Sequence, residues 1–188
     1  MEEKCIILCA PSGAGKTSIT KYLLQQNLGL QFSISACTRE PRAKESNGID
    51  YNFLSTDDFK KKIEANEFVE WEEVYNDNYY GTLKSEIKRI WEGGNSVIFD
   101  VDVEGGLSLT RHFGEKALAI FIKPPSLQAL EDRLRGRGTE TEEKIQKRLT
   151  KAVKELEYSK WFDHIIVNDD LGDAQQEVLS LVNSFLKN

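Results

Sequence analysis

Hydrophobic positions along the chain fall into two rhythms. Cys5-Ile6-Ile7-Leu8-Cys9 is a short, continuous apolar run, the pattern of a strand buried on both faces. The same signal returns at Ser96-Val97-Ile98-Phe99, at 117–122 and at His164-Ile165-Ile166-Val167. Elsewhere the apolar period lengthens to that of a helix, over 84–92, 103–113, 126–134, 141–158 and 171–187. After the first run, a helical stretch sets Ile19, Leu23 and Leu24 on one side, with Gly29 as its expected C-cap. Strands alternating with helices predict an α/β fold, a parallel sheet flanked by helices on both faces.

Residues 36–80 break this pattern. They are rich in aromatic and β-branched side chains, among them Tyr51, Phe53, Trp71 and Tyr80, with one helical patch near 56–65. That composition predicts a small mixed β lobe inserted into the α/β core. A second insertion candidate, 135–147, is rich in Arg, Gly, Thr and Glu, and Ile145, Leu149, Ala152 and Leu156 then resume an amphipathic helix. The expected organisation is a single domain over 1–188, with a core of 1–35, 83–125 and 158–188, a lobe of 36–82 and a lid region of 126–157. Trp71, Trp91 and Trp161 are read as packing residues, and Lys60-Lys61-Lys62 as a solvated helix face.

Composition adds limits rather than direction. With 25 basic against 31 acidic residues the net charge is -6, which argues against binding to a nucleic acid polymer. Basic residues nonetheless cluster at 39–44 and 133–148, enough to neutralise phosphates locally. No stretch approaches the roughly 20 apolar residues a membrane span needs. The first residues carry no secretory-signal pattern, and Cys5, Cys9 and Cys37 have no metal-ligand spacing, so a reducing cytoplasmic location is expected.

Between the first strand and the first helix stands Ala10-Pro11-Ser12-Gly13-Ala14-Gly15-Lys16-Thr17. It fits the phosphate-binding loop of nucleotide triphosphatases except that Ala10 holds the place of the first Gly. Such glycines let backbone N–H groups wrap a phosphate at a helix N-terminus. Ser12, Gly13, Ala14, Gly15, Lys16 and Thr17 are therefore expected to bind ATP, with Lys16 reaching the β- and γ-phosphates and Thr17 ligating Mg2+. Ala10 is tolerable if its φ is negative. Val97-Ile98-Phe99-Asp100-Val101-Asp102 supplies the apolar strand ending in carboxylates that a Mg2+ shell requires. If the strand alternation continues, Asp100 and Asp102 point the same way, one toward the metal shell and one toward the acceptor.

Arg39 and Arg42 flank a Glu-Pro step, a locally stiff arrangement in which two guanidinium forks can clamp a second phosphate.

With these residues the chain resembles the guanylate kinases. The resemblance runs in order through APSGAGKT, SISACTREPRAKESNGIDYNF, NEFVEW, NYYGT, VIFDVDVEG, IKPPS, RLRGRGTETEEKIQKRL and HIIVNDD, nearly the whole chain. It implies a phosphotransferase with ATP and GMP as substrates, Mg2+ as cofactor and an inserted GMP-binding lobe. It also implies residue roles. Arg39, Arg42, Tyr51 and Tyr80 match positions that grip the acceptor phosphate, and Glu45 matches one near the acceptor nucleotide. Ser35, Glu70, Thr82 and Asp102 match positions that read guanine. Arg137 and Arg148 match lid arginines, and Asn168 matches a position beside the ATP base, although a turn-forming Asn at a strand end reads equally well. The segment Tyr75-Asn76-Asp77-Asn78 departs from the family's usual turn length, which leaves its register open.

The chemistry of these residues agrees with that implication. Guanine offers N1–H and a 2-amino group beside the acceptor O6, so a carboxylate such as Glu70 takes the donors while Thr82 or Ser35 donates to O6. Adenine lacks this pairing, and mismatches of that kind are worth on the order of 10⁴-fold. The expected reaction is in-line transfer of the ATP γ-phosphoryl group to GMP, with dGMP as a second acceptor. Lys16, Arg39, Arg42, Arg137 and Arg148 would neutralise charge, with Gly136 and Gly138 as flexible points of the lid. Two rivals stand beside it. A kinase for another small phosphorylated acceptor is disfavoured by Glu70, Thr82 and Asp102. A non-catalytic protein-binding module on the same scaffold is disfavoured by the intact Lys16, Thr17 and arginines.

Overall fold

The computed structural model describes residues 3–75, 77–136 and 141–187, with the backbone alone at Tyr75. Arg137 and Gly138, assigned above to the lid, lie outside the described residues.

Three of the continuous apolar runs become the middle of a five-stranded parallel sheet, whereas the fourth, His164-Ile165-Ile166-Val167, forms an edge strand in which only Ile166 is buried. Strands β1 (Cys5–Cys9), β2 (Leu30–Phe32), β7 (Ser96–Asp100), β8 (Ala117–Lys123) and β9 (His164–Val167) lie in the order β2-β7-β1-β8-β9. Because side chains alternate along a strand, each of the three central runs divides between two cores. Ile6, Leu8, Ile98 and Ile120 pack with Ile19 and Leu23 of α1 (Lys16–Leu24) and Val178 and Val182 of α7 (Leu171–Lys187). On the opposite face Cys5, Ile7, Cys9, Phe99 and Phe121 meet Ile87 and Ile90 of α3 (Lys84–Glu92), and Val103 and Leu109 of α4 (Val103–Phe113). The expected flanked parallel sheet is thus present.

Two local expectations give way. Helix α1 ends at Leu24 with Gln25 as its C-cap, not at Gly29. Gly29 sits at the entrance to β2, at a φ of 64°, and its carbonyl accepts from the Ser96 amide at 2.8 Å. The half-buried edge strand β2 was not expected, because three residues are too few to show a period. Trp91 does pack, edge-on against Phe113 at 5.8 Å. Trp71 and Trp161 are instead 46% and 64% exposed; the neighbouring Phe162, buried in the sheet's second core, does the anchoring that Trp161 was expected to do.

The inserted region folds as β3 (Ala36–Cys37), β4 (Asn52–Phe53), α2 (Thr56–Glu64), β5 (Phe68–Tyr75) and β6 (Asn78–Leu83), a mixed sheet ordered β4-β3-β6-β5. Phe59 stacks on Phe68 at 4.3 Å in its small core. Ser55 caps α2 by accepting the Asp58 amide. The open register at 75–78 closes with Tyr75 opposite Asn78 after an irregularity between Glu73 and Tyr75, and Asp77 adopts a φ of 60°. Helices α5 (Leu127–Gly136) and α6 (Glu142–Glu157) share a cluster of Leu130, Leu134, Ile145 and Ala152. Among the described residues, no helix is long and apolar enough to cross a membrane.

Candidate active site

The loop between β1 and α1 is shaped by backbone demands. Gly13 and Gly15 sit at φ of 100° and 101°, a region that L side chains rarely adopt. A Cβ on Gly13 would lie 2.9 Å from Leu134 of α5. Among the described residues the non-glycine positions of positive φ are Asn66 and Asp77. Ala10 therefore has the negative φ its side chain needs, and its methyl group is buried in the first core.

Lys16 and Thr17 meet the end of β7. Lys16 Nζ stands 2.5 Å from Asp100 Oδ1 and donates to the Val101 carbonyl at 2.5 Å. The Thr17 hydroxyl donates to Asp100 Oδ2 at 3.1 Å. A hydroxyl and a carboxylate so placed are hard oxygen donors, few in number, which suits Mg2+ carried in with phosphates and water. Around them opens a cavity of about 480 Å³, lined by Ser12, Lys16, Thr17, Arg42, Asp102 and Lys151. Arg148 of α6 donates to the Ser12 hydroxyl from across this cavity.

Asn168 lies directly behind the loop. Its carboxamide donates to the Ala14 carbonyl at 2.6 Å, its backbone amide to Lys123 at 2.8 Å, and its own carbonyl accepts from Arg133 at 2.8 Å. Asn168 directly follows β9, the strand-end turn of one of the two sequence readings, and its side chain is buried against the loop's rear. Arg133, read only as part of a basic cluster, holds that turn.

The mixed lobe forms a second cavity of about 320 Å³, lined by Ser35, Tyr51, Glu70, Glu72, Tyr80 and Asp102 among others. Glu70 and Thr82 are cross-strand partners, and the fully buried Thr82 hydroxyl donates to Glu70 Oε1 at 2.7 Å. Burial pushes the Glu70 carboxyl above its ordinary value, the Thr82 bond pulls it back, and the charge of Asp102 pushes it further up. Between them Gly81 has no room for a side chain: a Cβ would stand 2.8 Å from the Glu70 carbonyl. Only glycine fits this place in the YYGT motif.

Arg39 and Arg42 part company. Arg39 forms a two-pronged pair with Glu45 at 2.5 and 2.8 Å, its guanidinium 4.8 Å from the Tyr51 ring centre. Tyr51 in turn meets Tyr80 edge-on at 6.2 Å. Glu45 also accepts the Arg42 amide at 2.8 Å; Arg39 first, then this amide, lowers its carboxyl to about 2. Glu45 therefore acts as the brace of the arginine loop, and Arg42 lines the cavity around Lys16 and Thr17.

Asp102 reaches both cavities, but not by strand alternation. β7 ends at Asp100, and Asp102 is the N-cap of α4, accepting the Gly105 amide at 2.9 Å. Lys151 approaches its other oxygen at 3.7 Å and Glu155 at 3.5 Å. Glu72, Lys151 and Glu155 were not singled out in the sequence. Glu72 stands two residues from Glu70 on one strand and Lys151 one helical turn from Arg148, so their spacing carried the signal.

These features match known proteins. The family model for guanylate kinase matches residues 2–185. The chain is 50% identical over 186 residues to the guanylate kinase of Bacteroides thetaiotaomicron, covering 99% of this chain and 91% of that one. It is 50% identical over 184 residues to the guanylate kinase of Porphyromonas gingivalis, covering 97% and 98%. The crystal structure of guanylate kinase from Anaplasma phagocytophilum aligns with a TM-score of 0.77 at 25% identity, over 99% of this chain and 87% of that one. With a glycine-shaped loop before α1, a carboxylate-bearing strand end and an inserted mixed lobe arranged in this way, the chain belongs to the guanylate kinase family.

Proposed function

We propose that the protein transfers the γ-phosphoryl group of ATP to a phosphate oxygen of GMP, and of dGMP, giving ADP and the nucleoside diphosphate. One observation carries this reading. Lys16, Tyr51, Asp100 and Asp102 line both the phosphate cavity and the cavity of the mixed lobe, so a donor in one and an acceptor in the other would present their phosphates to each other.

The acceptor phosphate is already an anion, and no general base is needed. Positioning and charge neutralisation then supply the catalysis. Lys16 holds the transferring phosphate, while Arg39, Arg42, Tyr51 and Tyr80 fix the acceptor phosphate. Glu70 takes guanine N1–H and one 2-amino hydrogen, and Thr82, Ser35 and Asp102 complete the base site. Thr17 would hold Mg2+, with Asp100 reaching it through water; the ion would supply charge for the β- and γ-phosphate oxygens. Arg148 and, by resemblance, Arg137 would close on the exchanging phosphates. We read 36–82 as the acceptor lobe and 126–157 as the lid, whose approach to the core would exclude water that could otherwise take the phosphoryl group. The setting we infer is cytoplasmic, with small-molecule partners only.

ADP release with Mg-ATP and GMP, dGMP, AMP, UMP or dTMP in turn tests the reading. Turnover is expected with GMP and dGMP. AMP turnover matching that of GMP would overturn the guanine assignment, and no turnover with any acceptor would favour a binding module.

A further inference from the structure

Lys16, Arg42 and Lys151 all line the cavity around the loop, and the reading above gives phosphate contacts to the first two only. Lys151 stands on α6 three residues after Arg148, so the two share one face of that helix. Arg148 reaches Ser12 of the loop, and Lys151 enters the same cavity one turn further on.

The carboxyl partners of Lys151 hold it loosely. Its Nζ is 3.7 Å from Asp102 Oδ2 and 3.5 Å from Glu155 Oε1, against about 2.7–2.9 Å for a charge-assisted hydrogen bond. Lys16, by contrast, lies 2.5 Å from Asp100. An ammonium has three hydrogens to place, and neither carboxyl group takes one at close range. The charge itself is secure: burial pushes the ammonium down, while Asp102, Glu155 and Glu72 push it back up past its ordinary value. Asp100, Asp102 and Glu155 also line this cavity, so two bound nucleotides would bring phosphates against carboxyl groups. Like charges repel more strongly in a partly desolvated site than in water. A lysine on a flexible stem, standing between the two, can turn from the carboxyl groups to a phosphate oxygen.

We propose that Lys151 is a further catalytic cation, whose ammonium donates to an oxygen of the phosphoryl group in transit. The inference rests on the phosphotransfer reading given above. In that step the bond from the γ-phosphorus to the β,γ-bridging oxygen breaks, and its electron pair leaves with ADP. A lone pair on a GMP phosphate oxygen forms the new bond to phosphorus. Lys151 gives up no proton; it meets the charge on the oxygens of the moving group.

The test measures kcat with Mg-ATP and GMP, together with GMP affinity by isothermal titration in the absence of ATP, for the wild type and Lys151→Met. The variant should lose kcat on the order of 10²-fold, the scale of removing one charge-stabilising donor, while GMP affinity stays within a few-fold of wild type. GMP affinity falling as far as kcat would overturn the proposal, because Lys151 would then be acting through Asp102 on the base. An unchanged kcat, with or without a lowered Tm, would also overturn it and leave Lys151 as a helix partner of Glu155. Lys151→Gln makes the same comparison should the methionine variant fold poorly. A wild type that fails to turn over GMP would instead defeat the phosphotransfer reading itself. A GMP-active wild type with fully active variants defeats only the role of Lys151.

Discussion

The Asn168 carboxamide occupies the place that a Cβ on Gly15 would take, while donating at 2.6 Å to the carbonyl of Ala14 next to it. One residue thus explains both why position 15 is glycine and how the loop is held from behind. Asn168→Ala leaves the Ala14 carbonyl unpaired and should cost about 1–2 kcal/mol of stability. KM for ATP should rise several-fold while KM for GMP is unchanged. Steady-state kinetics with each substrate varied checks this, and equal changes in both would refute the bracing role. Gly15→Ala should lose ATP binding outright, being strained both by its φ and by Asn168.

Lys16 is the cation that meets both Asp100 and the phosphate cavity. Lys16→Ala should lower kcat by on the order of 10²-fold or more, the scale of losing a charge-stabilising group in a phosphoryl transfer site. The affinity for GMP, measured without ATP, should stay within a few-fold of wild type. A large loss of GMP binding with normal turnover would mean that the two cavities have been assigned the wrong way round.

Thr82 donates to a carboxyl that burial has already raised. Thr82→Val removes a bond that favours the charged form, so the Glu70 carboxyl should rise further. Since guanine needs the ionised form, the acid limb of kcat/KM for GMP should move to higher pH. A pH profile with the limb unmoved would show that Glu70 is not the group being titrated.

Glu72 makes stability depend on pH in a direction opposite to the usual paired carboxylate. Its carboxyl is raised from an ordinary 4.5 to about 7, so between those values the folded chain holds a proton that the unfolded chain has released. Stability contributed by this group is present below the lower value and lost as pH rises through the upper one. Glu72→Gln has no such proton to lose. Its Tm relative to wild type should therefore climb with pH, reaching a gain of about 2 °C above neutrality. Melting curves across this range check the slope, and parallel curves would refute it.

Much of the fold and half of the site are written locally. The apolar runs at 5–9, 96–99 and 117–122 declare buried strands, and Gly13 and Gly15 declare a backbone that other residues rarely adopt. Arg39 and Arg42 lie close enough in sequence to be read as one loop. Local sequence carries such information because dihedral preference and facial polarity are properties of neighbouring residues. Tertiary structure decided what depends on distant chain segments meeting. The Thr17 hydroxyl finds Asp100 across 83 positions, and Asn168 reaches Ala14 across 154. Asp102 proved to be a helix cap rather than a strand residue, and Trp161 a surface residue rather than a packing one. The environment of Glu72 arises only where β5, α4 and α6 converge, because desolvation and charge are set by whatever the fold brings near. The motif spoke for a nucleotide by itself, whereas the carboxyl groups lining the lobe's cavity acquire their partners and their protons only in the folded chain.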